Sequence, residues 1–186
     1  HCIEAYANKF AHPVVDLFAL EGIRLVGSGL LQAVRNGTDV AARENMALAS
    51  LFGGLCLGPV NTAAVHALAY PLGGEFQVPH GVSNAVLLPH VMRFNLAAAL
   101  DRYERIALAL GVPGGDSPDA TASRGVERLI ALSKECGVPQ HLSDLGIPRE
   151  AIPRLAKSGM TVTRLLKNNP RPLSEADAIG IYEAAY

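Results

Sequence analysis

The sequence lacks tryptophan, is poor in other aromatic residues and carries little charge. Of its 186 residues, 5% are aromatic and 18% are charged, against about 25% charged in a typical soluble domain. Lys and Arg number 16 against 17 Asp and Glu, and this balance argues against a nucleic-acid-binding surface. An apolar fraction of 49% excludes intrinsic disorder. The chain is long enough for one domain with a sizeable core.

The shortage of charge is concentrated in the middle of the chain. Between residues 45 and 92 the only Asp, Glu, Lys or Arg is Glu75. The best apolar run, residues 46–57, is shorter than the roughly 20 residues of a membrane-spanning helix, and Gly58-Pro59 ends it. We therefore expect helices that are buried on all sides inside a protein, and no membrane partner.

Cysteine is also scarce. Cys2, Cys56 and Cys136 are widely spaced and form no CxxC motif, which predicts reduced thiols in a cytoplasmic protein and no zinc-finger-like site. The chain opens on His1 where an initiator methionine would stand, so we expect a preceding segment.

What is present in the sequence is helical periodicity. Apolar residues recur at helical spacing from Pro13 to about residue 35, where Asn36-Gly37 ends the helix, and Thr38 or Asp39 is suited to cap the next one. A third helix is expected near Pro59, ending at residues 71–74. After an extended or turn segment, 75–79, a helix is expected at 81–93.

The second half has a more ordinary charge pattern. An apolar stripe runs along residues 96–110, and 111–116 is a predicted loop. Ser117-Pro118 is typical of a helix start, with the helix reaching 136; Pro148 opens another, and Ser174 to Asp177 resembles a capping box for a last helix to 186. No strand–helix alternation occurs. The sequence predicts an all-α, multi-helix bundle forming one domain, 1–186.

Three of the six histidines stand out by their context. His66 lies within an uncharged helix, His80 lies in a Val-Pro-His-Gly turn at a helix start, and His1 begins a predicted first helix that carries Glu4. Converging neutral imidazoles bind Zn²⁺ or Fe²⁺. Taken singly, His66 is more typical of a hydrogen-bonded core residue, and His80 of a residue in a turn that caps a helix, than either is of a metal ligand. Of the remaining three, His12 and His141 are expected at the surface or in loops. His90 is expected to be structural and is kept as a candidate for supporting the metal ligands.

Several segments resemble one known family, the iron-containing alcohol dehydrogenases. The matching stretches are His1-x-Ile3-Glu4-Ala5-Tyr6, Val65-His66-Ala67-Leu68-Ala69-Tyr70-Pro71-Leu72-Gly73, Val78-Pro79-His80-Gly81-Val82-Ser83-Asn84-Ala85, Asn169-Pro170-Arg171-Pro172-Leu173 and Ile181-Tyr182-Glu183-Ala184-Ala185-Tyr186. In that family a helical C-terminal domain of the dehydroquinate-synthase-like type follows an α/β nucleotide-binding domain. The resemblance covers the whole chain and implies that the nucleotide-binding domain is missing from it.

The resemblance implies a metal site in which residues 1–95 supply the ligands and 96–186 complete the same domain. The family binds a divalent metal, iron or in some members zinc, through one Asp and three His. His1, His66 and His80 fall on the histidine positions, and the Asp would stand one turn before His1. The full-length enzyme would transfer a hydride between an alcohol and NAD or NADP, the latter bound mainly by the missing domain.

Tyr70 departs from the family pattern, because many members have a histidine there that serves as a proton relay. Tyr70 shares a helix face with His66 and is a candidate catalytic residue, although a phenol is a poorer proton shuttle than an imidazole near neutral pH. Without the Asp ligand and the nucleotide-binding domain, we expect these 186 residues to bind metal weakly and to be inactive. An apolar face normally covered by the missing domain would favour self-association.

Two other interpretations are compatible with the sequence. The chain could belong to a related metal-dependent enzyme, a glycerol dehydrogenase or a dehydroquinate synthase. It could also be a helical binding module without catalytic activity. The identity of the alcohol, aldehyde or ketone is not indicated by any motif.

Overall fold

Ten α-helices and three short 3₁₀ helices make up the regular structure of the residues described by the computed structural model, 1–115 and 117–186, and no strand occurs among them. The α-helices are α1 (Cys2–Tyr6), α2 (Pro13–Arg35), α3 (Val40–Leu57), α4 (Ala64–Phe76), α5 (His80–Asn95), α6 (Leu100–Ala109), α7 (Pro118–Glu135), α8 (Ile152–Met160), α9 (Thr163–Leu166) and α10 (Glu175–Ala184). The predicted all-α class is confirmed. Residues 111–115 form the expected loop, whose last predicted residue, Asp116, lies outside the described part.

Several helices begin at the capping residues that the sequence indicates. Asp39 accepts a hydrogen bond from the Ala42 N–H at 3.0 Å at the start of α3. Ser117 caps α7, and Ser174 forms a reciprocal capping box with Asp177 at the start of α10. These side chains satisfy backbone N–H groups that have no partner inside the helix. The starts of α3, α7 and α10 are therefore encoded locally.

Helix α4 differs from its predicted bounds. It begins at Ala64, five residues after Pro59, and it continues through Pro71 to Phe76. Pro71 and Leu72 are buried in the core, and their packing supports a further turn although proline removes one helical hydrogen bond. The predicted segment 75–79 is correspondingly shorter, because the left-handed Gln77 (φ 56°) ends α4.

The helix predicted to open at Pro148 also has a different start. Pro148 precedes a 3₁₀ turn, Arg149–Ala151, and the α-helix proper begins at Ile152. Pro153 stands in its first turn, where the missing N–H costs no helical hydrogen bond.

The helices pack around two apolar clusters. One cluster draws on α4, α5, α8 and α10 and contains Leu68, Leu87, Leu155 and Tyr182 among its fully buried side chains. The other draws on α1, α2, α6 and α7 around Tyr6, Ile23 and Ile106. Helices α2 and α3 form a hairpin that approaches closely at Gly22, whose side-chain position faces the Ala49 carbonyl and Phe52. Each cluster takes residues from both sides of position 95.

The expected burial of the uncharged stretch holds within this chain for the first six residues of α4, Ala64 to Ala69, and fails for much of α3. Eight of the thirteen α4 residues are buried. On α3, four large apolar side chains are exposed: Val40, Leu48, Leu51 and Leu55. Helix α3 packs mainly on α2, so its opposite face is left exposed by the described residues.

None of the helices in the described part combines the length and apolar character that a membrane crossing requires.

Candidate metal centre

Three histidines that are distant in sequence converge where the starts of three helices meet. His1 precedes α1, His66 is the third residue of α4 and His80 is the first residue of α5. The His66 ring centroid lies 4.9 Å from that of His1 and 5.1 Å from that of His80. One nitrogen of each imidazole lies within 4.8 Å of the other two. The three residues singled out in the sequence are thus brought together by the fold.

The site is buried on the side of His66 and open to solvent on the side of His1 and His80, which is called its open front below. His66 is 6% exposed, whereas His1 and His80 are exposed. The Nε2 atom of His66 is buried and has no hydrogen-bond partner among the residues that the structure describes. A buried polar atom without a partner is costly, and a lone pair on that atom is suited to a metal ion. Three imidazole nitrogens are a donor set that suits zinc and ferrous iron, so the residues present fit such an ion.

The other ring nitrogen of His66 contacts a buried carboxylate. Glu4, which is 7% exposed, places Oε2 in hydrogen-bond contact with His66 Nδ1. Its Oε1 accepts hydrogen bonds from the N–H groups of Ala63 at 3.0 Å and Val65 at 2.8 Å. Glu4 therefore caps the N-terminus of α4, from a helix 59 residues earlier in the chain, and this explains why α4 begins at Ala64.

The surroundings of Glu4 keep its carboxylate ionised. Burial alone would raise the pKa of Glu4, but the hydrogen bond and charge of His66 and the Ala63 N–H outweigh it, and the pKa lies below the usual value. The sequence offers a faint signal for this residue, an acid within the first histidine motif. Its partner, 62 residues away, could not be identified from the sequence.

Tyr70 lies beside the histidines, one helical turn after His66. Its ring stacks on that of His80, with centroids 6.1 Å apart, and meets the His66 ring edge-on at 6.4 Å. The Tyr70 hydroxyl accepts a hydrogen bond of 3.4 Å from Arg164, and 38% of the residue is exposed. Tyr70 is thus at the open front of the site, with its hydroxyl near a cation.

The remaining histidines lie elsewhere. His12 is exposed and caps α2 by accepting a hydrogen bond from the Val14 N–H. His141 is exposed, as expected. His90 lines a separate cavity with His141, bounded by α5, α7 and the segment after α7. Burial, together with the charge of Arg93, lowers the pKa of His90 to about 4, so this imidazole is neutral at physiological pH.

A cavity of about 370 Å³ adjoins the histidines. His1, His66 and Asn84 lie at its polar end, and apolar side chains from α2, α3 and α5 form most of its wall. Asn84 was not predicted as a site residue. It donates a hydrogen bond to the His80 carbonyl at 2.8 Å, while its own side-chain oxygen is buried without a partner.

Cys2 also lines the cavity. A hydrogen bond from the Cys56 thiol favours the Cys2 thiolate and lowers the pKa of Cys2 to about 7, against the opposing effect of burial. All three cysteines are free thiols, in agreement with the expectation of no disulfide.

The domain is helical, and three imidazoles converge at the starts of its helices in an arrangement that could hold a metal ion. Comparison with known protein families identifies the family. The model of the Fe-containing alcohol dehydrogenase family, C-terminal, matches residues 1–186. The chain belongs to this family and forms its C-terminal domain.

Individual relatives agree with this assignment. The chain is 41% identical over 188 residues to the 1,3-propanediol dehydrogenase of Klebsiella pneumoniae, a match that covers all of this chain and 48% of the relative. It is 43% identical over 187 residues to long-chain-alcohol dehydrogenase 1 of Geobacillus thermodenitrificans, covering all of this chain and 47% of the relative. The chain thus spans about half the length of the curated relatives it matches.

Solved structures place the fold in the same family. A crystal structure of 1,3-propanediol oxidoreductase superposes with a TM-score of 0.97 at 40% identity, covering all of this chain and 49% of that one. An alcohol dehydrogenase from Oenococcus oeni gives a TM-score of 0.95 at 30% identity, with 48% of that chain covered.

Proposed function

We propose that this chain is the metal- and substrate-binding part of an enzyme that interconverts an alcohol with an aldehyde or ketone, using NAD or NADP. The observation that carries the proposal is the convergence of His1, His66 and His80, one of which, His66, has a buried Nε2 with no hydrogen-bond partner among the described residues. Membership of the iron-containing family supports the reaction class. The names of two relatives, a 1,3-propanediol dehydrogenase and a long-chain-alcohol dehydrogenase, support a small-molecule alcohol as substrate.

The three imidazoles would hold one divalent ion. The name of the family favours iron, whereas the general order of binding affinities favours zinc over ferrous iron. When bound, such an ion supplies Lewis-acid polarisation of a substrate oxygen. The chain's own residues then have separate tasks. His66 gives the site a fixed, buried anchor, and His1 and His80 close it from the open front. The apolar wall of the cavity excludes water, which strengthens electrostatic effects at the site.

Tyr70 would act at the open front as a hydrogen-bond donor to substrate or water. Its contact with Arg164 and its stacking on His80 support this role by orienting the hydroxyl. The nicotinamide cofactor would be bound mainly by a separate nucleotide-binding domain, and the parent enzyme would be cytoplasmic, as its three free thiols favour.

Metal binding by ligand variants tests the proposal. Titration with Co²⁺, monitored by its visible absorption, should show binding by the chain and its loss in His66→Ala. His141→Ala is the matched control, because His141 is an exposed histidine outside the cluster. Retained binding in His66→Ala, or equal losses in both variants, would contradict the proposed site. Activity with alcohol and NAD⁺ or NADP⁺ is then measured in the protein that also contains the nucleotide-binding domain.

A further inference from the structure

We propose that Glu4 is a positioning residue that holds His66 in the tautomer with the proton on Nδ1, so that the Nε2 lone pair is free for the metal. The inference rests on the proposed function, because the value of this tautomer lies in the ligand it presents. The residues around Glu4 in the sequence do not indicate this role, because Glu4 contacts His66 only in the folded chain.

The first step of the argument is that the Glu4 carboxylate cannot turn freely. Its Oε1 accepts hydrogen bonds from the N–H groups of Ala63 and Val65 at 3.0 and 2.8 Å and a longer one of 3.4 Å from the N–H of His66. Val65 and His66 lie in the first turn of α4 and Ala63 is the residue before it, so the start of the helix fixes the position of these donors. Oε2 is therefore held against the imidazole of the residue that follows Val65.

The second step concerns the proton. An ionised carboxylate only accepts hydrogen bonds, so the contact between Glu4 Oε2 and His66 Nδ1 requires the proton to be on Nδ1. In the neutral ring Nε2 then carries a lone pair. This atom is buried and has no hydrogen-bond partner in residues 1–115 and 117–186. A hydrogen bond from one ring nitrogen to a carboxylate is the usual device that orients a histidine ligand and increases its basicity.

The third step identifies a substitution that inverts the arrangement with little change in shape. In Glu4→Gln the amide oxygen is needed by the backbone N–H groups, because a side-chain NH₂ cannot accept from them. The NH₂ group is then turned toward His66 Nδ1, where it donates. His66 must carry its proton on Nε2, the atom that the metal requires unprotonated.

The tautomer can be measured without any metal. Nitrogen-15 NMR of the histidine-labelled chain should show a protonated Nδ1 and an unprotonated Nε2 on His66 in the parent, and the reverse in Glu4→Gln. Glu75→Gln is the matched control, since it makes the same chemical change at an exposed position of α4, the helix that carries His66. An unprotonated Nδ1 in the parent, or the same tautomer in Glu4→Gln, overturns the proposal. The parent measurement decides the question even if the variant fails to fold.

Metal affinity provides the second measurement. Titration with Zn²⁺ should give a dissociation constant about 10- to 100-fold higher for Glu4→Gln than for the parent, with Glu75→Gln unchanged. Equal affinities for the parent and Glu4→Gln overturn the role of Glu4. If the parent binds no metal, the proposed function fails, and the tautomer measurement alone decides the role of Glu4. A purely structural cap would alter thermal stability and leave the tautomer unchanged.

Discussion

Helices α3 and α4 come from the same uncharged stretch of sequence, yet the fold treats them differently. Helix α4 is enclosed by α5, α8 and α9, and its residues from Ala64 to Ala69 are all buried. Helix α3 packs chiefly on α2. Its buried residues are small, Ala42, Ala49, Gly53 and Cys56, while Leu48, Leu51 and Leu55 on its other face are exposed.

The difference shows that lack of charge does not by itself imply burial. The burial of a helix depends on how many neighbours the topology places around it. Helix α4 carries a metal-ligand candidate and is surrounded, as a rigid support for a site should be. The exposed α3 face is suited to contact another surface, either a further domain or a second copy of the chain.

Truncating one leucine on each helix should give the largest contrast. Leu68 on α4 is fully buried, whereas Leu51 on α3 is 56% exposed. Leu68→Ala should lower the free energy of unfolding by about 2–5 kcal/mol, because it leaves a cavity in a packed core. Leu51→Ala should change it by less than about 0.5 kcal/mol. Urea denaturation measures both values, and similar losses in the two variants would contradict the contrast in burial.

Adding a methyl group to a glycine should give effects of opposite sign. A Cβ on Gly159 of α8 would lie 2.8 Å from Leu68 Cδ2 and 3.3 Å from the Ala67 carbonyl oxygen, whereas one on Gly54 of α3 would meet nothing within 4 Å. Gly159→Ala should therefore destabilise by about 1 kcal/mol, since overpacking outweighs the gain in helix propensity. Gly54→Ala should stabilise by about 0.5–1 kcal/mol. Thermal unfolding of the two variants checks the signs, and a stabilised Gly159→Ala would mean that α4 and α8 pack more loosely than described.

The smallest effect should be on association. We expect the chain to self-associate through the exposed α3 face, and Leu55→Glu should weaken that association severalfold by placing a charge in it. Leu108→Glu on α6 is the control, because Leu55 and Leu108 are each 46% exposed. Sedimentation velocity over a range of concentrations measures both. A parent chain that remains monomeric, or an equal effect of the two variants, would show that the α3 face is not the contact.

Local signals account for much of the fold. Helical periodicity predicted α2 from Pro13 to residue 35, and the caps at Asp39, Ser117 and Ser174 are short-range interactions that the sequence carries in full. The start of α4 could not be predicted in this way. Its cap comes from Glu4, so the boundary depends on a contact between distant parts of the chain.

The sequence by itself determined the helical class, the family resemblance and the three histidines proposed as ligands, because these depend on periodicity and on motifs of neighbouring residues. Only the tertiary structure decided that His66 is buried with one nitrogen held by Glu4 and the other without a partner, and that α3 keeps an exposed apolar face. Composition cannot determine these features, since burial and hydrogen-bond partnership are properties of neighbours that folding brings together.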